Sequence, residues 1–145
     1  MIKIICLGKL KEKYLVDFVS DYLKRISRYH KINLIELKDE DNLQKEEENI
    51  LKYVEEKDFV ITLEIEGKEF TSVELANLIE NTFITHSNIT FIIGSSLGLS
   101  STIKDSSNLS LSFSQMTFPH GVFRGILLEQ IYRAFKIINH ESYHK

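Results

Sequence analysis

"NITFIIGSSLGLS", residues Asn88–Ser100, decides how the rest of the chain is read. Its first half is a run of apolar and β-branched residues that lands on Gly94. A run without polar alternation suits a strand covered on both faces, as in a parallel sheet. Its second half is a loop of Ser, Gly and Leu, the punctuation that follows such a strand. Strand mates lie on either side. "IKIICL" (Ile2–Leu7) is another continuous apolar run, ending at Gly8. Ile32–Leu37 alternates apolar and polar, "FVITLEI" (Phe59–Ile65) is strand-like with "EGK" as its turn, and "LSLSF" (Leu109–Phe113) alternates again. Helical spacing fills the gaps. From about Leu10 to Tyr29, Leu15, Phe18, Val19, Tyr22 and Ile26 recur on one side. Asn42–Glu56 reads as a charged surface helix with Ile50, Leu51 and Val54 inward. Thr71 and Glu74 form a capping box for a helix to about Phe83. A short helix is expected near Ser101–Ser107, and a last one opens at Pro119 or His120 with a stripe of Val122, Ile126, Leu127, Ile131 and Phe135. Strands and helices alternate with no repeat or linker between them. One α/β domain over residues 1–145 is predicted, a mainly parallel sheet flanked by helices.

Composition agrees. The chain has 145 residues, 43% hydrophobic and 27% charged, as in an ordinary globular protein. No apolar run approaches the roughly 20 residues that span a bilayer, and "MIKIICLGKLKEKYL" lacks a signal-peptide pattern, so a cytoplasmic location without a membrane partner is expected. Cys6 is the only cysteine. It has no disulfide partner in the chain and lies in an apolar strand, where a buried, inert thiol is the expected state. The net charge of −3 is unevenly spread: residues 1–31 hold eight Lys/Arg against three Asp/Glu, and residues 36–58 hold ten acids against four bases. A divided charge permits a basic face for nucleic acid, although the same charges can simply solvate a helix.

Ligands of open parallel sheets bind beyond the carboxyl ends of the strands. Three loops qualify: "LEIEGK", "IGSSLGLS" and "SFSQMTFPH". Phe118 precedes the only proline, which biases it towards an extended backbone. An extended loop offers free backbone groups, and Phe113, Met116 and Phe118 could wall a neutral heteroaromatic ring such as adenine. The glycine spacing matches neither G-x-G-x-x-G nor G-K-[ST], so a phosphate loop is disfavoured, and Gly94 and Gly98 can equally be read as mere turns. His140 and His144 stand four apart but lack a third ligand, so no metal is expected. Glu129 and Arg133 read as a helix-stabilising pair. No nucleophile–base arrangement stands out, which leaves any demanding chemistry to a cofactor.

Several stretches together resemble one family. "GKLKEKY", "TLEIEGK", "FIIGSSLGLS", "LSLSFSQMTFPH", "RGILLEQIYRAFKI" and the closing "YHK" cover the chain nearly end to end. In these the sequence is similar to the RlmH type of SPOUT methyltransferase, which methylates N3 of a pseudouridine in 23S ribosomal RNA. The resemblance implies a trefoil knot, an exception to the rule against threaded chains. It also implies a homodimer whose partner completes each active site, and S-adenosylmethionine held by Leu63, Gly94 and the run Phe113, Ser114, Gln115, Met116, Thr117 and Phe118. Tyr143 and His144 would position the base or accept its proton. Arg124 and Lys145 would hold phosphate, with Lys11, Lys13, Lys24, Arg25 and Arg28 as a further basic surface towards the 23S RNA of the ribosome. His120 would act directly or cap its helix. The acidic stretch at residues 39–49 looks shorter than in several relatives, a surface-loop difference. Two other departures matter: Ser95 replaces a second glycine common in the family and is expected to narrow the cofactor entrance, and "NHESYHK" stands where many relatives have a glycine- or proline-containing sequence before Tyr-His. A non-catalytic ribosome-binding factor of the same fold is the alternative those departures allow; a small-nucleotide-binding regulator is a weaker one.

Overall fold

The computed structural model describes residues 1–145. Five strands and five helices alternate: β1 Ile2–Leu7, α1 Lys13–Ile26, β2 Ile32–Leu37, α2 Leu43–Leu51, β3 Phe59–Glu69, α3 Ser72–Thr85, β4 Ile89–Ile93, α4 Ser101–Ser106, β5 Leu109–Ser112 and α5 His120–Ile138. The sheet is wholly parallel in the order β2-β1-β4-β3-β5. β1 and β4 therefore occupy its interior with β3, and every residue of β1 and β4 is buried, which is why these two read as unbroken apolar runs.

Helices cover both faces. α5 packs between α1 and α3 on one side, where Leu127, Leu128, Ile131 and Phe135 join Ile4, Phe91 and Leu111 in the larger core. On the other side Ile50 of α2 and Ile103 of α4 close over Ile5, Leu7, Val60 and Ile92. A fully buried Ile, Leu or Phe of this kind contributes about 1.5–3 kcal/mol. Cys6 is fully buried, and burial pushes its thiol up to about 12, so it is neutral and unreactive at pH 7. The Thr71–Glu74 capping box forms in both directions. No helix is long and apolar enough to cross a membrane.

Three sequence expectations are corrected. "EGK" is not the end of a strand: β3 runs to Glu69, and Glu64–Gly67 bulges out between Leu63 and Lys68, both of which register with Leu111 of β5. Gly67 is required there because a Cβ would lie 2.8 Å from the Ser110 carbonyl. α2 stops at Leu51 instead of Glu56 and leaves Leu51 40% exposed. The inward stripe of α5 also shifts: Val122 and Ile126 are only half-buried, while Arg124, Leu128 and Tyr132 are buried.

At the amino-terminal end of the sheet, Lys3 Nζ meets Asp58 Oδ2 at 2.6 Å and donates to Tyr53 O. Asp58 also accepts from Thr90, Asn88 and the Glu55 N–H.

Candidate functional site

At the opposite end the three loops named from the sequence converge on one open cleft of about 500 Å³, a size usual for small-molecule sites. Leu63 ends the regular part of β3, Gly94 follows β4, and the stretch after β5 crosses in front of both; Leu63, Gly94, Phe113, Ser114, Met116, Thr117 and Phe118 all line the cleft. Gln115 does not, being exposed and outside its lining. Three rings make an aromatic wall. Phe118 stacks on Phe123 at 5.9 Å and 15°, and Phe113 meets the same ring edge-on at 5.1 Å. The backbone here is left free: the N–H groups of Gln115, Thr117 and Phe118 donate to nothing in the chain, and only Met116 N is used, by Ser114 Oγ.

The turn after β4 is tight. A Cβ on Gly94 would fall 2.6 Å from the Gly98 carbonyl, and Gly98 itself has φ +77°. Ser95 lines the cleft. Its hydroxyl donates to Glu46 Oε1 at 2.7 Å, while accepting from Leu97 N. Glu46 is 1% exposed although its helix reads as surface; it also accepts from Glu40 N and so ties α2 to the cleft turn.

A polar wall stands opposite the rings. Glu64 and Glu66, on the β3 bulge, and Lys104 of α4 all line the cleft. Lys104 Nζ lies 3.3 Å from Glu66 and 3.5 Å from Glu64. Burial opposes the Lys104 charge, but the two carboxylates outweigh it and raise its pKa. These three residues were not singled out from the sequence, where "EIEG" and a lysine on a short helix give no signal of convergence.

Arg124 is a correction. It is 2% exposed, paired with Glu36 at 2.7 Å and donating to the carbonyls of Leu7 and Gly8. Its guanidinium clamps α5 under the carboxyl ends of β1 and β2 and offers no edge to a phosphate. His120 lines the cleft but is exposed, and the opening of α5 has no side-chain cap.

The structure does not bring Tyr143 and His144 to their own cleft. Tyr143 donates to Glu129 at 3.1 Å, packs edge-on against Tyr132 and lies under the Arg133 guanidinium. His144 Nδ1 is 3.2 Å from Arg133 Nη1. The Glu129–Arg133 pair is thus the seat of the tail as well as a helix pair. Burial, with bonds to Tyr22 and Glu129, raises the Tyr143 phenol above its usual range. From His120 to Arg133 the helix rises about 20 Å at ~1.5 Å per residue, so the tail lies well away from the cleft of its own chain. Of the basic surface, Lys11, Lys24, Arg28 and Lys145 are exposed and enter no ion pair, Lys13 pairs with Asp17, and Arg25 pairs with Asp21 and lies over Tyr22.

A flat apolar slot with unused backbone donors, faced by two carboxylates and one ammonium, fits a ligand with a heteroaromatic ring and a cationic polar end. Comparisons with known proteins show the family. The family described as "Predicted SPOUT methyltransferase" matches residues 1–144. A Methanococcus maripaludis (strain C5) protein, named provisionally as a ribosomal RNA large subunit methyltransferase H, is 55% identical over 157 aligned positions, covering 99% of each chain. The Clostridium botulinum (strain Hall) ribosomal RNA large subunit methyltransferase H is 49% identical with the same coverage. Among solved structures, a probable methylase family protein from Haemophilus influenzae Rd KW20 superposes with a TM-score of 0.59 at 15% identity, covering 99% of this chain and 70% of that one; that likeness concerns the fold alone.

Proposed function

Because the chain belongs to the SPOUT methyltransferase family, we propose that it is an RlmH-type enzyme that methylates N3 of a pseudouridine in 23S ribosomal RNA with S-adenosylmethionine as methyl donor. The observation that carries this reading is the cleft, in which the cofactor residues expected from the sequence converge from three separate loops. Leu63, Gly94 and the backbone from Phe113 to Phe118 would hold the adenosyl part; Gln115 would serve through its main chain only. When bound, the cofactor supplies an electrophilic methyl group on a sulfonium.

The chain's own task is to present the base and take its proton. N3 of pseudouridine carries a hydrogen between two carbonyls, and the nitrogen attacks once that hydrogen leaves, so a positioned acceptor accelerates the step. The tail divides the roles. The Tyr143 phenol, which donates to Glu129, is suited to hold the tail in place, and exposed His144 is suited to face the base and accept its proton. With its own cleft about 20 Å away along α5, the tail would act on the cleft of a second copy. This supports a homodimer, as do the exposed apolar side chains that line the cleft, Ile65 and Met116. Lys11, Lys24, Arg28 and Lys145 would meet ribosomal phosphate.

The test is incubation of the purified protein with S-adenosylmethionine and either assembled ribosomes or isolated large subunits, followed by mass spectrometric mapping of 23S RNA. One added methyl on a pseudouridine is the expected result. A protein that binds the cofactor yet modifies neither particle would overturn the reading. No observation favours a non-catalytic factor.

A further inference from the structure

The charge of the cleft is unbalanced in a specific way. Among its lining residues the two carboxylates Glu64 and Glu66 face one ammonium, Lys104, so with His120 neutral the lining carries a formal charge of −1. The excess sits on Glu64. Its Oε2 is fixed by the hydroxyls of Thr62 at 2.7 Å and Ser110 at 2.5 Å. Its Oε1 has only Lys104, at 3.5 Å, and that ammonium lies nearer to Glu66. Exposure separates the three: the Glu64 side chain is 7% exposed, Lys104 36% and Glu66 71%. Water therefore screens Glu66 well and Glu64 poorly. A rigid, desolvated carboxylate with an incomplete partner is costly to bury, and a cation entering the cleft would offset that cost.

We propose that Glu64 makes the cleft selective for a ligand with one net positive charge over its neutral counterpart, with Lys104 limiting how strong the selection is. The inference rests on the cofactor reading above. S-adenosylmethionine carries a sulfonium, an ammonium and a carboxylate, a net +1; the thioether left after methyl transfer is neutral overall. The same carboxylate thus favours the charged cofactor before transfer and weakens the hold on the spent one. It also disfavours nucleoside polyphosphates, whose charge has the opposite sign.

The experiment is calorimetric titration of the full chain with three probes: S-adenosylmethionine, S-adenosylhomocysteine, and sinefungin, in which an amine restores the positive charge without a sulfonium. The wild type should bind the two cationic probes about tenfold more tightly than the neutral one, the scale of a partly screened unit-charge interaction. Glu64→Gln keeps the shape and should bring all three within about twofold, with S-adenosylhomocysteine affinity retained as the sign of an intact cleft. Lys104→Met should act in the opposite direction and widen the ratio. An unchanged ratio in Glu64→Gln, or a wild type that prefers the neutral probe, overturns the inference while leaving the cofactor reading in place. A folded wild type that binds none of the three overturns both.

Discussion

At the amino-terminal end of the sheet, Lys3 and Asp58 are buried together and both Asp58 oxygens accept hydrogen bonds from neighbouring groups. At the carboxyl-terminal end, Glu64 and Lys104 are partly buried, and one Glu64 oxygen is held only by an ammonium shared with Glu66. The same chemical types serve opposite ends. A buried pair with its bonds completed is strongly destabilised by loss of either partner alone, which suits a structural rivet. An incomplete one has a place for something else, which suits a site. α5 joins the two ends, opening at the cleft with Pro119 and closing beside His30, which stacks at 5.8 Å on Phe135.

The contrast is broken most severely at the closed end. Asp58→Ala leaves the buried Lys3 ammonium with only the Tyr53 carbonyl and Glu55 at 3.9 Å, and should cost about 3 kcal/mol in denaturant unfolding. pH reads the same pair. Burial alone would raise the Asp58 carboxyl, but Lys3 and the Glu55, Asn88 and Thr90 bonds outweigh it and hold its pKa below the usual value. Its contribution is therefore fully present above the unfolded-state value near ~4 and is lost as pH falls through the lower folded value. A stability that falls equally in wild type and Asp58→Asn over that acid range would remove Asp58 as the cause.

At the open end the largest effect should be on turnover. His144→Ala should slow methyl transfer about 100-fold, the lower range for a lost proton acceptor, with cofactor affinity unchanged. The comparison sharpens if His144→Ala is mixed with a chain disabled in its cleft. A tail acting across a dimer interface restores activity in the mixture, whereas a tail acting on its own cleft does not. Gly94→Ala, whose new Cβ would press on the Gly98 carbonyl, should weaken S-adenosylmethionine binding about tenfold, with unfolding affected by ~1 kcal/mol; titration and melting on one sample separate the two. The smallest change is expected outside both ends. Replacing Lys11, Lys24 and Arg28 together by Ala should lower the salt slope of ribosome binding by up to about three, and a slope equal to that of wild type would free this surface from the RNA-binding role.

Much of this was legible from single residues. β1 and β2 fall on the expected boundaries because apolar runs and alternation are local signals, and the Thr71 capping box is local too. The cleft's apolar and glycine residues were visible because loops after parallel strands are the general place for ligands. What was not legible depends on partners distant in sequence. Arg124 was expected to hold phosphate, yet it is taken up by Glu36, a partner 88 positions away. Glu46 read as one of a run of solvated acids, yet Ser95, 49 positions on, brings it inside. Gly67 signalled a turn where the chain needed close approach to β5. Glycine reports that space or angle is limiting without saying which.

The strand order also carries a consequence for how the protein comes into being. β1 is the first strand made, but one of its two neighbours is β4, residues 89–93, and β3 waits for both β4 and β5. During synthesis, β1 and β2 can pair early, but they present an apolar, unsatisfied edge until β4, Ile89–Ile93, has been made. Sheets closed by such distant pairings form slowly and pass through sticky intermediates. The nascent chain is thus most vulnerable to aggregation before residue 93 emerges, and a chaperone at the exit of the ribosome would meet that edge first.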